Sequence, residues 1–296
     1  MHIVVSGGSG FLGRALDTVL RRDGHRVTVL TRRARPDRPD DIAWTPDGEV
    51  GPWAQALVGA DVVVNLAGEG MADRRWTAAR KTALLDSRLN ATCSLVKAVQ
   101  QVTNGPRVFV SASGVGYYGH TGDERLTEDA PSGRDFVATM ASMWEAAAAP
   151  AAQVGRLVLL RTGLVLGAGG ALAKMLLPFK LGAGGRLGSG RQWMPWIHVG
   201  DWTALSARLI SDPHASGAFN LTAPEPVTNA DFTRSLGRAL HRPAIIPVPG
   251  FALKLALGEM AELLLTGQRA VPGKAQALGF DFRYRTVDQA LTEALQ

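Results

Sequence analysis

Cysteine, tyrosine and lysine are scarce in this sequence. Its 296 residues hold one cysteine (Cys93), three tyrosines and six lysines. A single cysteine excludes an intrachain disulfide and any multi-cysteine metal site. Cys93 falls among apolar residues of an expected helix, so packing is its expected role and a reducing cytoplasm the expected compartment. No apolar run approaches the roughly 20 residues needed to span a bilayer. The opening MHIVVSGGSG has no basic segment and no long apolar one, so it reads as a strand entering a loop and not as a secretory signal. A G-x-S-x-G nucleophile elbow is also missing, and with it the usual hydrolase signature.

Positive charge is plentiful but dispersed. Net charge is +6, and 26 of the 32 basic residues are arginine. The one dense run, RRARPDR at 32–38, is diluted by proline and aspartate. That pattern argues for a soluble surface with a few phosphate-facing arginines, and against nucleic-acid or membrane binding. Hydrophobic residues make up 46% of the chain, enough for a sizeable buried core.

The order of elements gives the fold class. HIVV is a short β-branched run ending in SGGSG. FLGRALDTVLRRDG follows with apolar residues at helical spacing, stops at Gly24, and gives way to the strand HRVTVLT. This is a βαβ unit. Residues 33–60 read as loops. ADVVVNLAG is a third strand, 77–102 a long helix, RVFVSAS a fourth strand, 135–149 a helix and RLVLLRTGLVLG a fifth strand. Such alternation predicts an α/β fold built on a doubly wound, parallel, Rossmann-type sheet. After Gly167 the chain turns glycine-rich and aromatic, with helices near 201–212, 229–241 and 250–265. The expected organisation is a nucleotide-binding domain over 1–167 and a smaller substrate lobe over 168–296. Segments near 196–228 are expected to cross back to the first domain.

The chemistry starts in VVSGGSGFLGRAL. Gly7, Gly10 and Gly13, with Phe11 and Leu12 between the last two, follow a strand and open a helix. A phosphate cradle needs that context. Glycine permits the tight turn and close approach of a pyrophosphate, and the helix N-terminus offers free N–H groups and partial positive charge. An NAD site would place a carboxylate near the end of the second strand for the ribose 2′-hydroxyl. Here that strand runs into Thr31, Arg32 and Arg33. An arginine fork suits a 2′-phosphate, so the expected cofactor is NADP(H). The plainer alternative is that one of the two arginines, Arg33 before Arg32, only faces solvent.

Together with NLAGEGMADRRW, DSR at 86–88, SASGVGYYG, WEAAA, RTGLVLG, GAGGRLGSGRQWMPWIHVGD, NLTAPEPVTN and FALKLALGEMAELLLTGQ, this loop resembles the extended short-chain dehydrogenase/reductase superfamily. More narrowly it resembles bacterial "epimerase family" proteins related to nucleotide-sugar epimerases. The resemblance implies that Leu66, Ala67 and Gly68 line the adenosine and ribose, and that Arg88 contacts the cofactor. It implies that Ser113 is the catalytic serine and that Leu164 and Val165 pack near the nicotinamide. It also implies a homodimer through helices 77–102 and 135–149.

The sequence departs from that pattern at its centre. The superfamily works with a Tyr-x-x-x-Lys pair. Glu145 resembles the glutamate that follows the lysine by four positions, which puts Val137 at the tyrosine and Ala141 at the lysine. Lowering a tyrosine by about three pKa units takes roughly 4 kcal/mol, which the lysine would help supply. Without it a phenol can donate a proton but is a poor base at pH 7. Tyr117 and Tyr118 then become the substitute candidates, as proton donors, as ligand contacts, or as packing against the second lobe. Arg75, Trp76, Gln192, Trp193 and His198 are the candidate substrate contacts. His198 and Asp201 lack a third ligand, so no metal is expected. The expected function is an NADP(H)-binding, epimerase-like oxidoreductase acting on a small-molecule substrate. The alternative is an NADP(H)-binding redox sensor or regulator without turnover.

Overall fold

The β-branched runs become strands covered on both faces. In the computed structural model, which describes residues 1–296, they are β1 (His2–Ser6), β2 (Arg26–Thr31), β3 (Asp41–Ala43), β4 (Val62–Asn65) and β5 (Val108–Gly114). The strands Arg156–Thr162 and Gly217–Leu221 complete a seven-stranded sheet. Its order is β3-β2-β1-β4-β5, then Arg156–Thr162, then Gly217–Leu221 at the edge. Every pairing is parallel. Strand order reverses between β1 and β4, where such folds open a crevice for ligands beyond the strands' carboxyl ends.

Alternation along each strand sorts the core into two layers. Ile3, Val5, Val27, Val29, Val62 and Val64 face one side, where Leu16 and Leu20 of α1 (Phe11–Arg22) meet Trp202, Leu205 and Leu209. Val4, Leu30 and Val63 face the other, against Ala91 and Leu95 of α2 (Ala78–Gln101) and Ala148 of α3 (Phe136–Ala148). The helices begin at capping residues. Thr77 accepts a hydrogen bond from the Arg80 N–H at 3.1 Å, and Asp135 from that of Ala138 at 2.9 Å. α1 ends at Gly24, which takes φ +81°.

A third hydrophobic cluster, around Leu166, Trp196, Phe232, Leu236 and Leu291, gathers α4 (Gly170–Lys180), α6 (Asn229–Ala239) and a C-terminal helix over Val287–Ala294, while α7 (Gly250–Leu257) lies outside it with no buried residue. Between these, α5 (Val199–Ser211) carries Trp202, Leu205 and Leu209 into the core beneath the central sheet. With the strand Gly217–Leu221, it places much of 199–221 in the layers of the central sheet.

Three local expectations change. Residues 33–60 contain β3 and a 3-10 turn over Pro52–Leu57, fixed by Trp44 and Trp53 meeting edge to face at 5.3 Å. Three residues are too few for β3 to show a period. RLVLLRTGLVLG is two strands. At Gly163 a Cβ would lie 2.5 Å from the Pro195 carbonyl oxygen, and Leu164–Leu166 then pairs with Trp196–His198 instead of the main sheet. The helix expected over 250–265 breaks at Gly258, which takes φ +61°.

Candidate cofactor and substrate site

The glycine loop is shaped by close backbone approach. Gly7 takes φ +73°, and a Cβ there would sit 2.6 Å from the Leu66 carbonyl carbon and oxygen. A Cβ on Gly13 would lie 2.3 Å from the Gly7 oxygen. The Gly10 N–H closes the turn onto the same oxygen at 3.0 Å. Gly10 is the N-cap of α1 and supplies no side-chain acceptor. The first-turn N–H groups therefore face the crevice with no internal cap, as an anion site requires. Behind them, Phe11, Leu12, Leu66 and Val165 pack on one hydrophobic cluster. Gly169 lies against Phe11, where a Cβ would come within 2.8 Å of the ring. The start of α4 is thus seated on the first residue of α1.

The crevice is braced by residues the sequence reading did not single out. Ser6 Oγ donates to Asn65 Oδ1 at 2.8 Å, Asn65 Nδ2 donates to Thr92 Oγ1 at 2.9 Å, and the Ala67 N–H returns to Asn65 Oδ1 at 3.2 Å. These bonds tie the ends of β1 and β4 to α2. An asparagine closing the valine run VVVN was the available signal.

At the end of β2, the four arginines of RRARPDR divide in two. Arg35 pairs with Asp41 at 2.7 Å and Arg38 with Asp17 at 3.3 Å. Arg32 and Arg33 are exposed and make no ion pair, and the Thr31 hydroxyl bonds only within its own turn. Arg88 is the opposite case. It is 7% exposed, donates to the Leu84 and Glu69 carbonyl oxygens at 2.8 and 3.0 Å, and leaves its Nε buried without a partner. Burial, helped by nearby Arg80, pushes its guanidinium down to about 10. Gly68 lies on it, since a Cβ there would be 3.3 Å from Arg88 Cγ. A buried cation without a carboxylate partner beneath the 66–69 loop fits an anionic cofactor above it. Cradle, free arginines and buried arginine together fit a dinucleotide carrying an extra phosphate.

Ser113 lies at the carboxyl end of β5 and donates to Glu145 Oε1 of α3 at 2.7 Å. Arg161 grips the same carboxylate with both arms, Nε to Oε1 at 2.8 Å and Nη2 to Oε2 at 2.9 Å. Its Nη1 donates to the Tyr118 hydroxyl at 3.1 Å and to the Glu128 carbonyl oxygen at 3.0 Å. Tyr118 in turn donates to Asn220 Oδ1 at 2.7 Å. A charged residue inside the apolar string RLVLLRTGLVLG was the sequence's signal for Arg161, because a charge in a doubly covered strand needs a partner.

This network separates the two adjacent tyrosines. Tyr118 is 1% exposed, and its hydroxyl both donates and accepts within the protein. Of the three roles expected for it, packing fits this arrangement, because its hydroxyl proton goes to Asn220. Burial pushes its phenol further up, with Arg161 opposing. Tyr117 is half-buried, its ring 3.5 Å from the Arg161 guanidinium carbon, and its hydroxyl makes no protein hydrogen bond. Val137 closes on the same turn, since a Cβ on Gly116 would lie 2.4 Å from its methyl. Ala141 is 3% exposed. Neither residue offers a titratable group where the superfamily keeps its pair.

The proposed substrate contacts also divide. Trp76 is buried, donates to the Met71 carbonyl oxygen at 2.9 Å and packs edge to face on Phe136. These contacts anchor the loop that carries it. Gln192 donates to the Leu187 and Leu264 carbonyl oxygens at 3.0 and 2.7 Å, which makes it a brace within the second lobe. Trp193 is half-buried, bonded to Asp123 at 2.8 Å and covered by Arg269. Arg75 reaches the Leu255 carbonyl oxygen at 3.4 Å, and Lys174 reaches Asp73 at 2.5 Å. The loop carrying Arg75 and Trp76 is therefore tied to α4 and α7.

His198 caps α5. Its Nδ1 accepts from the Gly200 N–H at 3.1 Å while its ring lies 3.9 Å from that of Tyr284. Asp201 is spent on the N–H groups of Arg283 and Tyr284, each at 3.0 Å. Burial pushes the His198 imidazole below its ordinary value. As pH falls below about 6.5 the unfolded chain therefore takes up a proton before the folded one does, and stability declines through that window. His198→Asn keeps an acceptor cap without the titration. Melting curves from pH 7.5 to 5 should show a shallower acid decline for this variant, whereas His198→Ala should cost about 1 kcal/mol at pH 7.5, a cost that shrinks towards pH 5 because that variant has lost the titration too. An unchanged acid limb in the asparagine variant would rule this out.

A doubly wound parallel sheet with a glycine-rich helix entry at its switch point and a serine at the end of β5 defines a nucleotide-binding protein of the extended short-chain dehydrogenase/reductase class. The NAD dependent epimerase/dehydratase family model matches residues 3–222, and the chain belongs to that family. A domain of unknown function, DUF1731, matches residues 248–294. Epimerase family protein Mb2239 of Mycobacterium bovis is 44% identical over 293 residues, spanning 98% of this chain and 96% of that one. The crystal structure of human epimerase family protein SDR39U1 with NADPH superposes with a TM-score of 0.92 at 37% identity, over 99% of each chain. A nucleoside-diphosphate sugar epimerase from Corynebacterium glutamicum gives a TM-score of 0.82 at 35% identity, over all of this chain and 58% of that one. No helix is long and apolar enough to cross a membrane.

Proposed function

We propose that this chain binds NADP(H) and uses it as an epimerase-like oxidoreductase on a small-molecule substrate. The observation that carries this reading is the pair of free arginines, Arg32 and Arg33, beside an uncapped helix N-terminus and with no carboxylate at the end of β2. The human relative crystallised with NADPH supports the same cofactor. The nicotinamide supplies a hydride when bound. Ser113 holds the substrate oxygen, and Tyr117, whose hydroxyl is free, supplies a proton. Leu66, Ala67, Gly68, Leu164 and Val165 give the cofactor its apolar walls. Reduction suits this site better than epimerisation, because Val137 and Ala141 leave no phenolate base for the reverse step. A homodimer through α2 and α3 belongs to the same reading.

The double variant Arg32→Ala/Arg33→Ala should weaken NADPH by about 10–100-fold, since two charge-assisted contacts to a 2′-phosphate are lost, and leave NADH within about threefold. Titration of cofactor fluorescence reads both. Equal losses, or a wild-type preference for NADH, would defeat the assignment.

One observation favours a second reading, binding without turnover: the tyrosine and lysine positions hold Val137 and Ala141. NADPH oxidation against a panel of carbonyl compounds separates the two readings. Turnover lost in Ser113→Ala supports the enzyme; tight NADPH binding with no oxidation supports the sensor.

A further inference from the structure

The direction of one proton constrains what the site can hold. Glu145 is a carboxylate gripped by both arms of Arg161, and Arg161 is fixed by Tyr118, by the Glu128 carbonyl oxygen and by the Tyr117 ring. A carboxylate only accepts, and a serine has one proton to give. The Ser113–Glu145 bond, at 2.7 Å, is in the charge-assisted range. The Ser113 proton is therefore committed to Glu145, and only the lone pairs of Oγ remain for a ligand. A carbonyl oxygen brought against Ser113 would meet an acceptor. It could be bound only after Ser113 broke a charge-assisted bond in a place where Glu145 is 10% exposed.

We propose that Ser113 is a hydrogen-bond acceptor, held so by Glu145 as a positioning residue, and that the ligand group facing it is a hydroxyl rather than a carbonyl. This rests on the NADP(H) reading only in placing that group beside the nicotinamide. It also gives a reduction its direction. The site stabilises the alcohol over the ketone, while Tyr117, free to donate, is the group that meets a carbonyl oxygen on entry. Of an alcohol and its carbonyl partner, the alcohol is therefore the tighter-bound member.

Neutron diffraction from deuterium-exchanged crystals of the full chain, grown with NADPH, reads the proton directly. The deuteron on Ser113 Oγ should lie on the line to Glu145 Oε1; a deuteron aimed into the crevice overturns the proposal. Matched probes read its consequence. Cyclohexanol against cyclohexanone, and lactate against pyruvate, are compared by saturation-transfer NMR with a redox-inert tetrahydro-NADP bound. In at least one pair the alcohol should bind about tenfold more tightly than the ketone. If the alcohol binds no better in either pair, including when neither member binds, the proposal fails. In Glu145→Ala no acceptor remains for the Ser113 proton, which is then free for the crevice, so the preference should fall to parity or invert. Should that variant not fold, Ser113→Ala, which removes only the hydroxyl, should abolish the preference. A preference that survives in Ser113→Ala overturns the proposal. Cofactor affinity, measured on the same samples, keeps the two ideas apart. Absent NADPH binding fails the functional reading, whereas normal binding with a crevice-facing deuteron fails only the polarity of Ser113.

Discussion

Arg161→Leu should destabilise the protein by about 3–5 kcal/mol, the usual cost of leaving one member of a buried ion pair uncompensated. The side chains of Arg161 and Glu145 are only 6% and 10% exposed. Burial works against the Arg161 charge, but hydrogen bonds and attraction from Glu145 outweigh it and hold the guanidinium above its ordinary value. Removing the arginine strands the carboxylate and also leaves the Glu128 carbonyl oxygen without its Arg161 partner. For a chain of this size the melting temperature should fall by on the order of 10 °C. The sharper check is a second variant. If the cost comes from an unpaired charge, Arg161→Leu combined with Glu145→Leu should be more stable than Arg161→Leu alone, despite losing one more polar group. Denaturant unfolding of both variants decides it. A double variant as unstable as the sum of the singles would mean that the pair does not act as a unit.

That network also marks where the sequence stops being readable. The cradle was legible because its parts are neighbours: a valine-rich strand, glycines at 7, 10 and 13, and a helix, all within the first 22 residues. The sheet was legible because doubly covered strands are apolar throughout. The Ser113 environment was not, because its partners are distant. Glu145 lies 32 residues from Ser113, and Tyr118 meets Asn220 across 102 residues. Residue type alone left the roles of Trp76 and His198 open, since both types bind ligands; in the fold one anchors a loop and the other caps a helix. Tyr117 and Tyr118 are the clearest instance. They share a 3-10 turn over Val115–Tyr118, and rotation about that turn sends one ring into the core and leaves the other half-exposed over Arg161. Composition cannot separate such neighbours; a hydrogen-bond inventory can.

Gly13→Ala should remove NADPH binding with only a moderate loss of stability, and that inequality is the informative part. The added Cβ would lie 2.3 Å from the Gly7 oxygen and 2.6 Å from the Gly8 Cα, both backbone atoms that cannot rotate away. α1 must therefore move off the loop. Overpacking of this kind costs about 1–3 kcal/mol. The same movement displaces the first-turn N–H groups from the turn they share with Gly7, so an anion held by both loses its geometry. Affinity for NADPH should drop at least about 100-fold. At a cofactor concentration near 100 times the wild-type Kd, ligand stabilisation of about 2.7 kcal/mol should vanish from the melting curve. Gly24→Ala is the matched control. Gly24 takes φ +81° with nothing within 4 Å of its would-be Cβ, so it carries backbone strain of about 1–2 kcal/mol and no clash. It sits at the far end of α1 from the cradle. Its variant should lose comparable stability and keep the full NADPH shift. Retained binding in Gly13→Ala would show that the pyrophosphate is held elsewhere. Lost binding in both variants would show that any damage to α1 is enough, which removes the loop's special standing.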